Sequence, residues 1–174
     1  MAVIAKRDPS VFSLNETQKK RLSEFNSPIQ LWFWLLIKLP SAWFMGMAVK
    51  SVTPERGEVT LPYGWRSQNP FQSIYFAAQS AAAEFSTGAL ATLAIAGRGK
   101  VSMLVTVMEA EFLKKANSKT TFTCADGEAV FAAVEKAIQT GEAQVLTMVS
   151  TGVQETGEVV SIVKITWSFR AKKA

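Results

Sequence analysis

SQNPFQSIYFAAQSAAAEFSTGALATLAIAG, the run from Ser67 to Gly97, holds one charged side chain, Glu84, in 31 positions. At the chain average of 19% charged residues, a run of this length would hold about six. From Gln72 to Ile95 it is rich in alanine and free of proline, which predicts one long helix. A helix with so little charge is enclosed by protein over most of its surface. At 100° per residue Ser73, Ser80, Glu84 and Thr87 fall within a sector of about 60°, with Ile74, Ala78, Ala81, Phe85 and Ala89 roughly opposite. A narrow hydroxyl stripe around one carboxylate suits the wall of a pocket.

Upstream, Ser13-Leu14-Asn15-Glu16 has the form of a capping box with Ser13 as N-cap, which predicts a helix over Leu14 to Phe25. A very aromatic helix over Ile29 to Leu39 is expected to stop at Pro40. Met45 to Val52 and Glu58 to Leu61 flank the turn Thr53-Pro54-Glu55-Arg56-Gly57 and read as a hairpin. Downstream, Val101 to Lys114 and Thr120 to Cys124 are β-prone. Asp126 is placed to N-cap a helix that Gly141 closes, and Ala143 to Val153 and Val159 to Arg170 read as long strands. In the last of these Val159, Val163, Ile165, Trp167 and Phe169 share one face, and Lys164, Thr166 and Ser168 the other. Helices, a hairpin, one enclosed helix and a run of strands make an α+β fold with a mainly antiparallel sheet wrapping the central helix. There is no internal repeat and no low-complexity linker.

With 174 residues and 48% hydrophobic side chains, the chain can bury a core as one domain, 1–174. Histidine is absent and Cys124 is the lone cysteine, which excludes Ser-His-Asp and Cys-His catalysis and a histidine-ligated metal, so no metal is expected. Cys124 has no partner for an internal disulfide and reads as an inert buried thiol. Met1 to Ser10 has no long apolar stretch beside Lys6 and Arg7 and does not read as a secretory signal. The apolar run after Pro28 is broken by Lys38 and Pro40, too early to span a bilayer, so a cytoplasmic protein without stable membrane insertion is expected. The net charge of +5 fits anionic partners or simple solubility. No helix-turn-helix, zinc or Gly-rich RNA-binding pattern supports nucleic acid.

Asn69-Pro70-Phe71-Gln72-Ser73-Ile74-Tyr75-Phe76-Ala77-Ala78, continuing to Glu84 and Gly88, resembles the signature of hotdog-fold thioesterases of the phenylacetate-degradation type. These carry Asn or Gln, His-Gly-Gly six residues later, and Asp or Glu nine after the His; Asn69, Tyr75 and Glu84 stand at those spacings. Glu111-Phe112-Leu113-Lys114-Lys115-Ala116 resembles the strand end that follows the hotdog helix in this superfamily. The Asn26-Ser27-Pro28 region and the aromatic helix resemble an uncharacterised branch, the domain of unknown function 4442, in which bulkier residues replace His-Gly-Gly. The likeness runs from about Ile29 to Phe169. It implies a hotdog core over 45–170 behind an N-terminal helical extension, 1–44, and a homodimer or dimer of dimers with sites between two chains.

The resemblance further implies an acyl-CoA thioesterase with Glu84 as general base or nucleophile and the Phe76 backbone N–H as oxyanion donor. Asn69 would orient water or the thioester carbonyl, and Thr87 and Ser80 would support Glu84. Tyr75, Ser80, Lys114 and Lys115 are candidate substrate contacts. No cofactor is implied beyond the coenzyme A of the substrate. Tyr75, Phe76 and Ala77 in place of His-Gly-Gly fit a non-catalytic acyl- or lipid-binding module as the alternative.

Bland readings stand beside these. Glu84 can be a structural buried carboxylate and Asn69 a turn residue. Lys114, Lys115, Lys119, Arg98 and Lys100 can grip coenzyme A phosphates or be solvated surface. Trp32, Phe33, Trp34, Trp43 and Phe44 can pack in the core or a dimer, line an acyl tunnel, or touch a membrane.

Overall fold

The computed structural model describes residues 12–171. The reading of Met1 to Ser10 as no signal sequence lies outside them. Three helices open the chain: α1 (Glu16–Phe25), α2 (Pro28–Lys38) and α3 (Pro40–Phe44). The hairpin β1 (Ala48–Val52) and β2 (Gly57–Leu61) leads into the long α4 (Phe76–Ile95). Then follow β3 (Val101–Phe112), β4 (Thr120–Cys124), α5 (Gly127–Thr140), β5 (Gln144–Gln154) and β6 (Val159–Ala171). The strands form one six-stranded sheet in the order β1-β2-β4-β5-β6-β3, every neighbouring pair antiparallel. Its inner face lays Val59, Leu61, Phe122, Met148, Ile165 and Phe169 over the buried Ala82, Ala83, Ala89, Leu90 and Leu93 of α4. Alanine lets the sheet come close. A Cβ on Gly57 of β2 would stand 2.5 Å from the Ser86 carbonyl oxygen of α4.

Several expectations shift by a turn. The N-cap of α1 is Asn15, not Ser13, and its capping box closes on Gln18 rather than Glu16. The reason is tertiary. Asn15 Nδ2 donates to the Ala96 carbonyl and Gln18 Nε2 to that of Ala94, so α1 supplies donors to carbonyls at the end of α4 that the helix leaves orphaned. Pro40 ends α2 as expected but also opens α3, where its missing N–H costs nothing at the first helical turn. The central helix starts at Phe76, four residues later than alanine content suggested, because Asn69 to Ser73 fold into a turn instead. Ser73 therefore sits before the helix rather than on its stripe.

In β6 the alternation holds from Val163 to Phe169, but Val159 is exposed and Val160 buried. Between the pairs Gly152–Ser161 and Val153–Val159, β6 carries one extra residue, Val160, a bulge that reverses the faces there. Asp126 makes no side-chain cap for α5. Its carboxylate accepts from the Val149 N–H at 2.7 Å and from the Cys124 thiol, pinning β5 to β4. Gly141 closes α5 in the left-handed region, φ 72°, as its position predicts.

One buried polar pair ties α4 to the sheet. The Ser86 hydroxyl donates to the Ala83 carbonyl and lies 2.8 Å from the Ser150 hydroxyl, both fully buried. Ser150 therefore donates to Ser86. Removing Ser86 strands a buried donor, while removing Ser150 leaves Ser86 bonded. Ser86→Ala should cost about 1–3 kcal/mol in urea denaturation and Ser150→Ala less. Equal losses would show that this donor direction is wrong.

Candidate functional site

The segment from Ser67 to Tyr75 is a tight loop built by the sequence's small polar residues. Asn69 Oδ1 accepts from the Phe71 N–H at 2.9 Å and from the Ser73 N–H and hydroxyl. The Asn69 N–H donates to the Ser73 carbonyl, and Gln72 closes the turn at φ 58°. The Ile74 N–H reaches the Ala116 carbonyl at 2.7 Å and the Tyr75 N–H reaches Ser67 at 2.7 Å, fastening the loop to the segment after β3. Asn69 thus does the work of a turn residue with its oxygen, and among the described residues its Nδ2 makes no hydrogen bond.

The loop delivers the N-terminus of α4 uncapped. Tyr75 occupies the N-cap position and provides no side-chain bond, because its hydroxyl lies too far along the ring to fold back. Ala78 and Gln79 both donate to the Tyr75 carbonyl, while the Phe76 and Ala77 N–H groups have no partner among the described residues. Unpaired N–H groups at the positive end of a 20-residue helix favour a negatively charged oxygen. Beside this helix start lies an open groove of about 420 Å³ whose lining includes Asn69, Phe76, Gln79, Phe112, Lys114 and Lys115.

Gln79 is the residue the sequence reading missed. It is buried, its Nε2 donates to the Ile74 carbonyl, and its Oε1 is a buried acceptor with no partner among the described residues. A buried orphan acceptor is costly unless something that donates occupies the space beside it. The signal was present: Gln79 is the only amide side chain between Phe76 and Ile95.

Glu84 stands apart from that groove. Half-buried on α4, it forms no ion pair among the described residues, and burial raises its carboxyl pKa above the ordinary 4.5. A Cβ on Gly88 would stand 3.2 Å from Glu84 Oε1 and 3.5 Å from the Trp167 ring, so carboxylate and indole flank Gly88. Around Glu84 the least buried stripe of α4 is Ala77, Ser80, Ala81 and Gly88, all small.

Thr87 and Ser80 do not contact the Glu84 carboxylate by hydrogen bond. Thr87 is fully buried; its hydroxyl donates to the Glu84 backbone carbonyl and accepts the Trp167 indole N–H, both at 3.0 Å. It fixes Trp167 against the helix. The Ser80 hydroxyl donates back to the Phe76 carbonyl at 3.0 Å. Tyr75 is exposed and packs edge-on against Phe76, which does the same with Phe112, so three rings crowd the mouth of the groove.

The basic residues do not form one cluster. Lys114 pairs with Glu158, whose carboxyl it holds below its ordinary value, with help from Gln154 and Thr156. Lys115 donates only to the Phe71 carbonyl, at 3.3 Å, and forms no ion pair among the described residues. Lys119 pairs with Glu155 beside a different groove. Arg98 pairs with Glu135, and Lys100 follows it, both past the far end of α4, about 30 Å from its start. Lys114 and Lys115 alone reach the groove. Cys124 is buried as expected, and burial pushes its thiol pKa up to about 12. Among the described residues no group of three metal-ligating side chains occurs, and no described helix is long and apolar enough to cross a membrane.

A long helix enclosed by one antiparallel sheet, with an uncapped N-terminus opening on a groove, defines a hotdog-fold protein. The chain belongs to the family described as Domain of unknown function (DUF4442), matched over residues 31–169. No curated protein matches it. Among solved structures it is similar to a protein of unknown function from Pseudomonas aeruginosa described as a probable thioesterase, at 19% identity and a TM-score of 0.69, covering 84% of this chain and 97% of that one. It is similar also to a thioesterase from Haemophilus influenzae, at 17% identity and TM-score 0.62, covering 82% and 90%. A protein of unknown function from Chlorobaculum tepidum shares the fold at 13% identity and TM-score 0.70, covering 84% and 98%. At these identities the likeness establishes the fold.

Proposed function

We propose that the protein is an acyl-CoA thioesterase acting as a homodimer. The observation that carries this reading is the uncapped start of α4, beside a groove lined by Phe76, the Gln79 side chain with its unpartnered acceptor, and two lysines. Donors held in place before the reaction suit the oxyanion formed when water adds to a thioester carbonyl. Glu84 serves as base: it takes a proton from the attacking water, the tetrahedral intermediate expels the thiolate, and the thiolate recovers that proton as the free acid forms. As nucleophile, Glu84 would instead form an anhydride that water then cleaves. Asn69 Nδ2 and Gln79 Oε1 orient water or the carbonyl. Lys115, with no carboxylate partner among the described residues, receives coenzyme A phosphate.

A second copy completes the site. Glu84 lies eight residues beyond Phe76, about 12 Å along the helix, too far for both to act on one carbonyl within a chain. Strand β3 is an edge of the sheet and carries exposed Leu104, Val107, Met108 and Phe112, which fits pairing with a second copy. The small stripe beside Glu84 admits close approach of a neighbouring backbone. Cytoplasmic action fits a lone, buried thiol.

The test is release of free coenzyme A thiol from a panel of acyl-CoA chain lengths. Turnover is expected, with Lys115→Glu raising KM roughly tenfold, about the 1.4 kcal/mol of one charge-assisted contact, and leaving kcat nearly unchanged. No turnover on any chain length rejects the enzyme. The crowding of Tyr75, Phe76 and Phe112 at the mouth favours the alternative, an acyl-binding module without hydrolysis. Native mass spectrometry showing acyl ligand retained without turnover is the result expected of that alternative.

A further inference from the structure

Helix α2 is turned inside out. Its buried residues are Leu31 and Leu35, as in any helix resting on a core. The opposite side, which a helix on a protein surface normally fills with polar residues, is Ile29, Phe33, Leu36 and Ile37, with Trp32 beside them. Ile29 is 73%, Phe33 55% and Ile37 70% exposed. These side chains span an outward arc of about 140° without a charged group.

The surface continues onto neighbouring elements. Trp32 packs edge-on to Trp43, 5.6 Å between centroids, and Phe44 of α3 packs on Trp65, which is 78% exposed. Four of the five tryptophans lie on or beside this face. Its nearby charge is mainly basic, since the Glu24 carboxylate that shares a groove with Gln30 and Trp34 is paired with Arg21. No acidic residue occurs between Asn26 and Pro54, nor between Gly64 and Ala83, while Lys38 ends α2 and Arg66 follows Trp65 at the rim of the groove beneath Trp32 and Trp43.

We propose that this face docks the protein on the surface of an anionic lipid bilayer. An outward apolar arc rimmed by tryptophans and cations matches the layered chemistry of such a surface: acyl chains, then the headgroup boundary where indoles settle, then phosphates. The 11 residues of α2 reach about 16 Å, so the helix lies in the interface and does not span. Self-association through the same face is disfavoured, since it would bring the Lys38 and Arg66 cations of two copies near one another. The net charge of +5 draws the chain to the same surface. The inference is independent of the chemistry at Glu84.

The experiment is flotation of the full chain with vesicles of phosphatidylcholine alone and of phosphatidylcholine with phosphatidylglycerol, read also by tryptophan emission. Binding to the anionic vesicles with a blue shift is expected, weakened by added salt. Phe33→Glu with Ile37→Glu should lower binding about tenfold or more without changing the thermal melt, since both side chains are exposed. Lys38→Glu should weaken it most at low salt. Absence of binding to either vesicle, or binding that the double variant leaves unchanged, overturns the proposal. So does light scattering in which wild type self-associates, the double variant does not, and neither floats.

Discussion

Glu84→Gln is expected to lower kcat for acyl-CoA hydrolysis by about 10²- to 10⁴-fold while leaving the protein folded and at least as stable at neutral pH. The two halves of this result have one cause. Burial against Trp167 and Gly88, with no cationic partner among the described residues, raises the carboxyl pKa above 4.5. The folded state therefore binds a proton more readily than the unfolded chain. The ionised carboxylate costs stability at all pH above its folded value, and the cost is relieved as pH falls toward 4.5. Gln is neutral throughout, so its advantage in urea denaturation should be largest near pH 7 and vanish in acid. In the wild type, kcat/KM should rise with pH through the same raised pKa. A variant less stable than wild type at pH 7 would reveal a buried cation paired with Glu84 and refute its role as an unpaired base. Label entering Glu84 after a single turnover in ¹⁸O water would identify the nucleophilic route, with water opening the anhydride at the Glu84 carbonyl.

Gly57→Ala should be strongly damaging for so small a substitution. Its Cβ would meet the Ser86 carbonyl oxygen at 2.5 Å, backbone against backbone, so neither partner can swing aside. Relief requires α4 to move off β2. A loss of about 3 kcal/mol is expected, which for a chain of this size lowers Tm by roughly 6–12 °C. Activity should fall as well, because Ser86 sits half a turn beyond Glu84 and both move together. Gly64→Ala is the control: nothing lies within 4 Å of its Cβ, and it should stay within about 0.5 kcal/mol of wild type. Equal stability of the two variants would mean the helix is not held against the sheet at Gly57.

Much of the fold was legible because it rests on local patterns. The charge-poor alanine run announced an enclosed helix, alternation announced β6 from Val163 to Phe169, and Gly141 announced the end of α5. Misplacements arose where distant contacts outbid local signals. Asn15 prevailed over Ser13 as N-cap because it also reaches Ala96, and the start of α4 slid to Phe76 because Asn69 drew the preceding residues into a turn. Sequence hydrophobicity does not say which side of the aromatic helix is covered: Trp43 packs against the core, while Trp32, Phe33 and Trp34 are exposed on the single chain, which removes core packing for those three.

The candidate site divides in the same way. Glu84 and the loop at Asn69 could be named from composition and spacing, for a lone acid in an apolar helix and an Asn-Pro turn are properties of neighbours in the chain. Whether Thr87 served Glu84 or Trp167, whether five cations made one cluster or three, and whether Gln79 had a partner were decided by the tertiary structure. Hydrogen bonds and ion pairs act over a few ångströms in space, and residues 80 positions apart, such as Thr87 and Trp167, meet only once the sheet has closed on the helix.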